Sequence, residues 1–123
     1  YAESLHKTSG HITCISDRDT IIAVSGASKK EFLEKSLSSE VERVIEEKTT
    51  LVVKSPEDKA IAITADETDE KKYTAQVVSP IISEGDPIGA VMLLSLDPNV
   101  RMGEVEAKLA QSAAGFLGKQ MEQ

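Results

Sequence analysis

The side chains that could do chemistry are few and scattered. Cys14 is the only cysteine among 123 residues, and His6 and His11 are the only histidines. A lone cysteine excludes an internal disulfide framework and any multi-cysteine metal cluster. His11 and Cys14 are an odd number of positions apart, so on a strand they point to opposite faces and cannot share an ion. Neither histidine has a sequence-local partner, so each reads as solvated or as satisfied in the core. Cys14 sits mid-strand and reads as a buried structural thiol, with a nucleophile or redox sensor as the alternative. Asp66, Glu67, Asp69 and Glu70 suggest calcium by type. They lack the spacing and the glycine of an EF-hand loop, which leaves a solvated hairpin loop as the better reading. Ser25 and Ser28 flank a glycine, but no His–acid pair is identifiable to activate either hydroxyl. No Gly-rich phosphate loop, His-Glu-x-x-His pair or Cys-x-x-Cys pair is present. An enzyme would need a constellation drawn from distant residues, such as Ser25, Tyr73 and Glu84, and nothing in the sequence demands one. The expectation is a non-catalytic chain with no metal and no identifiable cofactor.

Composition narrows the function further. Fourteen Lys and Arg face 21 Asp and Glu, for a formal charge of −7. A surface this acidic repels phosphates, which argues against sequence-independent binding of this chain to nucleic acid or to an anionic membrane. The hydrophobic fraction of 40% with 28% charged residues is that of a globular domain. Aromatics are only 3%, with no Trp, so the core must be aliphatic. The length suits one domain, expected over residues 1–123. No apolar run reaches the ~18–20 residues of a membrane span, and no signal peptide is visible. The chain opens at Tyr1 without Met, as expected of a fragment of something longer.

These side chains must be positioned by an alternation of helices and strands. Tyr1–Thr8 reads as the end of a helix stopped at Gly10. His11–Ser16 and Thr20–Ser25 are β-branched runs around Asp17-Arg18-Asp19, a hairpin signal with a turn longer than two residues. Ser28 is placed to cap a helix, with Glu31 as capping-box acid and Glu31–Lys35 as an i,i+4 pair. Ser39 and Glu42 repeat the box. Beyond them Leu37, Val41, Val44 and Ile45 share one stripe, while Glu40, Arg43, Glu46 and Glu47 face away. Thr50–Val53 and Ala60–Thr64 are strand candidates, followed by a charged loop over Asp66–Lys72. Tyr73–Ile82 and Ile88–Ser95 are the strongest strands, joined through Glu84-Gly85-Asp86-Pro87. Both are apolar at odd and even positions, which places them mid-sheet with cover on both faces.

After Asp97-Pro98-Asn99 a long helix is predicted over Gly103–Met121. Val105, Leu109, Ala113 and Phe116 form one apolar stripe; Ala107, Ala110, Ala114, Leu117 and Met121 form another. Together they span about half the helix circumference at 100° per residue, whereas one contact to a sheet needs about 100°. The excess suggests a second contact surface. Gly115 and Gly118 each cost roughly 1 kcal/mol inside a helix. They read either as tolerated variation or as a close helix approach, with Ala114 and Gly118 as the small face. The element order predicts an α+β fold: a central antiparallel sheet of about five to six strands, helices on both faces and a long C-terminal helix.

The segment Pro80-Ile81-Ile82-x-x-Gly85-x-x-Ile88-Gly89-Ala90-Val91-Met92-Leu93 resembles the last hairpin of GAF domains, which share a Pro–aliphatic pair, a turn Gly and Ile-Gly-x-aliphatic. Residues 22–28 read IAVSGAS and continue KKEFLEKSLS; residues 102–123 read MGEVEAKLAQSAAGFLGKQMEQ. With these stretches the whole chain resembles the C-terminal GAF domain of AbrB-type sporulation transcription regulators of spore-forming Firmicutes. The resemblance implies a sensor and oligomerisation module without a catalytic role, in the cytoplasm of the forespore. It also implies that DNA is contacted only through an N-terminal swapped-hairpin domain that these residues do not include. It implies terminal helices that pack against those of a second subunit. It names no ligand. The Asn-Lys-x-x-Asp-Glu-type motif of cyclic-nucleotide binders is not found, Cys14 does not match the bilin-attachment positions, and His6 and His11 lie away from the expected haem pocket wall.

Two expectations follow. One is a small-molecule effector held between the sheet and residues 28–48, with Ser25, Phe32, Leu37, Val41 and Ile45 as lining residues; the alternative is that these side chains fill the core. The other is a homodimer or dimer of dimers through the terminal helices, with Leu5, Ala110, Ala114, Leu117 and Met121 at the interface, and Leu109, Phe116 and Leu117 buried in a helical bundle that the Tyr1 ring joins. A scaffold with no physiological ligand is the reading that competes with sensing.

Overall fold

The two strands that are apolar on both faces occupy the middle of the sheet. In the computed structural model, which describes residues 1–67 and 73–121, β5 (Asp86–Ser95) lies at the centre. It is flanked by β1 (Ile12–Ser16) and β4 (Ala75–Ser83), with β2 (Ile21–Ser25) and β3 (Leu51–Val53) at the edges. The order is β2-β1-β5-β4-β3, and every neighbouring pair is antiparallel. Four helices cover it: α1 (Ala2–Ser9), α2 (Lys29–Phe32), α3 (Ser39–Glu47) and α4 (Glu104–Gln120). The α+β GAF-like expectation holds, with five strands. Asp69 and Glu70 of the acidic run, and the last two residues, lie outside the described residues. Among the described residues no helix is long and apolar enough to cross a membrane.

Strand alternation sends side chains into two separate cores. Ile15, Val77, Val91 and Leu93 meet α1 and α4 together with Leu5, Ala110, Ala113 and Ala114. Cys14, Val78, Met92 and Leu94 meet α2 and α3 together with Phe32, Val41 and Ile45. The β4–β5 turn is tighter than the four-residue loop expected. Ser83 pairs with Asp86, and the two turn residues Glu84 and Gly85 both have positive φ, 51° and 85°. That is the condition a two-residue hairpin of matching twist sets, and Gly85 meets it without steric cost.

Three expectations are corrected here. The helix after Ser28 is a single turn, Lys29–Phe32, and the Ser28 side chain makes no cap bond. The chain leaves the helix at Leu33 to supply the free edge of β2. Ile21 N–H donates to Lys35 O, Glu34 N–H donates to Ile21 O, and Leu37 N–H donates to Asp19 O. An edge strand with unpaired backbone groups outweighs one more helical turn. Lys35 is thereby turned away from Glu31 and pairs with Asp66 at 2.6 Å. Second, the α3 cap is Ser38, not Ser39: its Oγ accepts from Val41 N–H at 3.1 Å and donates to Ala62 O at 2.6 Å. Third, Ala60–Thr64 forms no strand; only an isolated bridge joins Thr64 to Leu37. Its backbone is met by side chains. Gln76, itself fully buried, accepts from Ile61 N–H at 2.6 Å and donates to Ile61 O at 3.2 Å.

Candidate functional site

The side chains expected to line a ligand pocket fill the core instead. Phe32, Leu37, Val41 and Ile45 are 0–4% exposed within one apolar cluster beneath α2 and α3. Their spacing in and before α3 points them straight at the sheet. Ser25 does not join them. It pairs in register with Thr13, whose neighbour Cys14 is on the α3 face, so Ser25 stands on the α1 face. Between residues 28–48 and the sheet, these four side chains thus expose almost no surface.

The larger open space lies at the N-terminal end of α3. A groove of about 760 Å³ is bounded, among the described residues, by Glu40, by Pro56 to Ala62, and by Tyr73 and Thr74. Glu40 is the one residue of the predicted covering segment that reaches it. Its wall is Pro56, Ala60, Ile61 and Ala62, and its rim carries Glu40, Glu57, Asp58 and Lys59. The wall is held from behind by Gln76 and Ser38. It is also held from its C-terminal end by Glu67, whose carboxylate accepts from Ile63 N–H, Thr64 N–H and the Tyr73 hydroxyl at 3.1, 3.1 and 2.7 Å. Sequence reading missed Gln76 and Ser38, and it placed Glu67 in a solvated loop, whereas its carboxylate is engaged by Ile63, Thr64 and Tyr73. The available signal was Gln76 itself, a long polar residue inside an otherwise apolar strand.

The titratable groups beside this region are poised against chemistry. Burial, and then the neighbouring Glu67 charge, push the Cys14 thiol up to about 12. Burial and the hydrogen bond to Glu67 likewise raise the Tyr73 phenol well above its usual range. Both stay protonated at neutral pH, and a protonated thiol is a poor nucleophile. Ser25, Tyr73 and Glu84 stand respectively on the α1 face, beside the groove and in the β4–β5 turn, so the fold does not assemble them. His6 Nδ1 donates to His11 O at 2.8 Å, and His11 Nε2 lies 3.7 Å from Glu106. His11 is on the α4 side and Cys14 in the opposite core, as their odd spacing requires. No group of three metal-ligating side chains occurs among the described residues.

The terminal-helix face also differs from expectation. Leu5, Ala110 and Ala114 are buried inside this chain and present no surface to a second one. Leu117 is half-buried, and Met121 is exposed at 66%. The close approach made possible by Gly118 is to the chain's own sheet, since a Cβ there would collide with the Ile82 carbonyl oxygen. Gly115 faces open space. What α4 leaves uncovered is part of the other stripe, whose Ala113 is buried and Leu109 half-buried: Val105 is 67% and Phe116 48% exposed, and the Tyr1 ring stacks on Phe116 at 5.4 Å.

Comparison with known proteins places this architecture. The family described as stage V sporulation protein T C-terminal, transcription factor, matches residues 1–122. The chain belongs to that family. It is 45% identical over its full 123 residues to stage V sporulation protein T of Bacillus subtilis strain 168, and it spans 66% of that protein's length. Among solved structures, the GAF domain of a phosphoenolpyruvate-protein phosphotransferase from Acinetobacter matches with a TM-score of 0.76 at 12% identity. That match covers 96% of this chain and 75% of the other. The corresponding Coxiella burnetii domain gives 0.75 at 16%, covering 98% and 77%. A free methionine-R-sulfoxide reductase of Thermoplasma acidophilum gives 0.70 at 10%, covering 96% and 84%. The fold is thus a GAF fold that enzymes also use, and the family assignment points to transcription regulation.

Proposed function

We propose that this chain is the non-catalytic sensing and oligomerisation domain of a sporulation transcription factor, binding a small-molecule effector in the groove at the N-terminal end of α3. The observation that carries the reading is the groove itself. Its volume falls in the ~300–1,000 Å³ range of small-molecule sites, and it combines an apolar wall with a few charged groups at the rim. It adjoins the buried cluster beneath α2 and α3, so an occupant would sit beside that core. DNA would be contacted through a part of the protein outside these residues, in keeping with the −7 charge here. The setting would be the cytoplasm of the forespore.

Native mass spectrometry of the gently purified chain tests this directly. The expected result is a discrete retained mass that is lost in Ala62→Trp, which fills the groove. A chain without added mass, and without a thermal shift across a metabolite screen, overturns the sensing reading.

A second reading, a dimerisation scaffold without ligand, is favoured by the uncovered stripe of Val105 and Phe116 with Tyr1 stacked beside it. It keeps Phe116 and the Tyr1 ring from the sequence reading and sets aside Leu5, Ala110 and Ala114, which are buried in this chain. Phe116→Asp is expected to shift a dimer to monomer in sedimentation while leaving the folded monomer intact. An unmodified chain that is monomeric at micromolar concentration would sink this reading and the oligomerisation half of the first.

A further inference from the structure

We propose that Ala60–Thr64 is a strap that detaches from the α3 face of the sheet as a unit while the sheet stays folded, with Gln76 as the clasp. The strap forms one wall of the groove, so the inference deepens the groove reading and gives that site a conformational readout.

The argument rests on how the strap is bonded. The β4 and β5 backbones meet in a continuous ladder from Ala75↔Ser95 to Ser83↔Asp86, interrupted by one bulge. The strap has no such ladder. Gln76 supplies both bonds to Ile61, Ser38 Oγ donates to Ala62 O, and Glu67 accepts from Ile63 N–H and Thr64 N–H. Backbone-to-backbone bonds are confined to its end, where Ser38 N–H donates to Ile63 O at 2.9 Å. Among its four apolar residues only Ile63 is fully inserted, while Ala60, Ile61 and Ala62 remain half-buried. Local opening occurs in contiguous units, and those with few buried contacts open most readily. A segment anchored by one aliphatic side chain and a set of side-chain bonds belongs at that end of the range.

The buried Gln76 carboxamide has Ile61 as its backbone partner on both atoms, so clasp and strap release together. Opening withdraws Ile63 from the cluster that holds Leu37 and Val41, and it removes the wall made by Ala60–Ala62. A molecule seated against that wall binds the closed form alone and shifts the equilibrium toward it.

Amide hydrogen exchange followed by NMR on the whole chain is the test. Amides of Ile61, Ile63 and Thr64 are expected to exchange ~100-fold or more faster than the slowest β4 and β5 amides. Gln76→Leu should accelerate the strap amides by a further factor of about ten and leave the β4 and β5 amides unchanged. If that variant does not fold, Ile63→Ala should give the same selective acceleration. Strap amides that exchange together with the sheet, or variants that accelerate both equally, overturn the strap. This outcome is separable from the groove reading. A retained ligand on a chain whose strap exchanges with the sheet defeats the strap alone, and a fast strap on a chain that retains no ligand defeats the groove alone.

Discussion

On one face of the sheet, α4 lays Ala110, Ala113, Ala114 and Gly118 against the strands in seventeen regular residues. On the other, one turn of α2, nine residues of α3 and the irregular stretch Ala60–Thr64 share the task. Residues beneath both covers are buried. The helical cover satisfies its own backbone, so it needs only small side chains to sit close, and it leaves its far side free for a stripe such as Val105 and Phe116. The composite cover relies on Gln76, Ser38 and Glu67 to satisfy a backbone that has no ladder, and a groove remains at its margin. The larger groove thus lies beside the irregular cover, while the exposed apolar pair Val105 and Phe116 lies on the regular one.

Substitutions can break this contrast. The largest effect is expected from Phe32→Ala, which opens a void in a solid core and should cost ~3–5 kcal/mol in urea denaturation. A cost below about 1 kcal/mol would mean that Phe32 borders space after all. Next comes a pair of opposite sign on α4. Gly118→Ala should destabilise by ~1–3 kcal/mol because its Cβ meets the Ile82 carbonyl. Gly115→Ala should stabilise by roughly 0.5–1 kcal/mol, since its Cβ meets nothing.

The pH dependence divides along the same line. Cys14 and Tyr73, both in the α3-face core, have raised folded values. Their contribution is complete below the ordinary values of 9.0 and 10.0 and is lost as pH rises beyond them. Cys14→Ala with Tyr73→Phe should flatten the alkaline limb of a stability profile. The acid limb belongs elsewhere. Asp17, in the β1–β2 turn, is lowered by the Thr20 and Asp19 N–H groups. Glu106 is raised by burial but lowered overall by the Gly103 N–H, with His11 contributing. Their stabilisation is present above the ordinary values of 3.8 and 4.5 and is lost as pH falls through the lower folded values. Asp17→Asn and Glu106→Gln should flatten that limb modestly, Asp17 being exposed and screened by solvent. The smallest effect is kinetic: the native Cys14 thiol should resist alkylation at pH 7 and react once urea unfolds the chain.

Much of this was legible in one dimension. The unbroken apolarity of Ile88–Ser95 announced a central strand, and it is the middle one of five. Gly10 marked the end of α1, where it adopts φ 79°. The excess apolar arc of α4 leaves Val105 and Phe116 exposed. Reading failed where a long-range partner outbid a local signal. Ser28 and Glu31 carry a helix-start signature, yet the β2 edge claims Lys35 and Leu37. Ala60–Thr64 has the composition of a strand, yet Gln76 from β4 satisfies it without a ladder.

The candidate site shows the same division. Periodicity alone determined which residues of α3 face inward, because 3.6 residues per turn leaves Val41 and Ile45 no other direction. It also determined that two faces of the sheet needed cover. Whether Phe32, Leu37, Val41 and Ile45 enclose a space or fill it is a matter of distance between layers. So is the assignment of Ala110 and Ala114 to the chain's own sheet and of Phe116 to the outside. Those distances arise from contacts between residues far apart in sequence, such as Gly118 against Ile82 and Gln76 against Ile61. Only the tertiary structure could decide them, because packing depends on the summed shapes of both layers and a local pattern encodes one layer at a time.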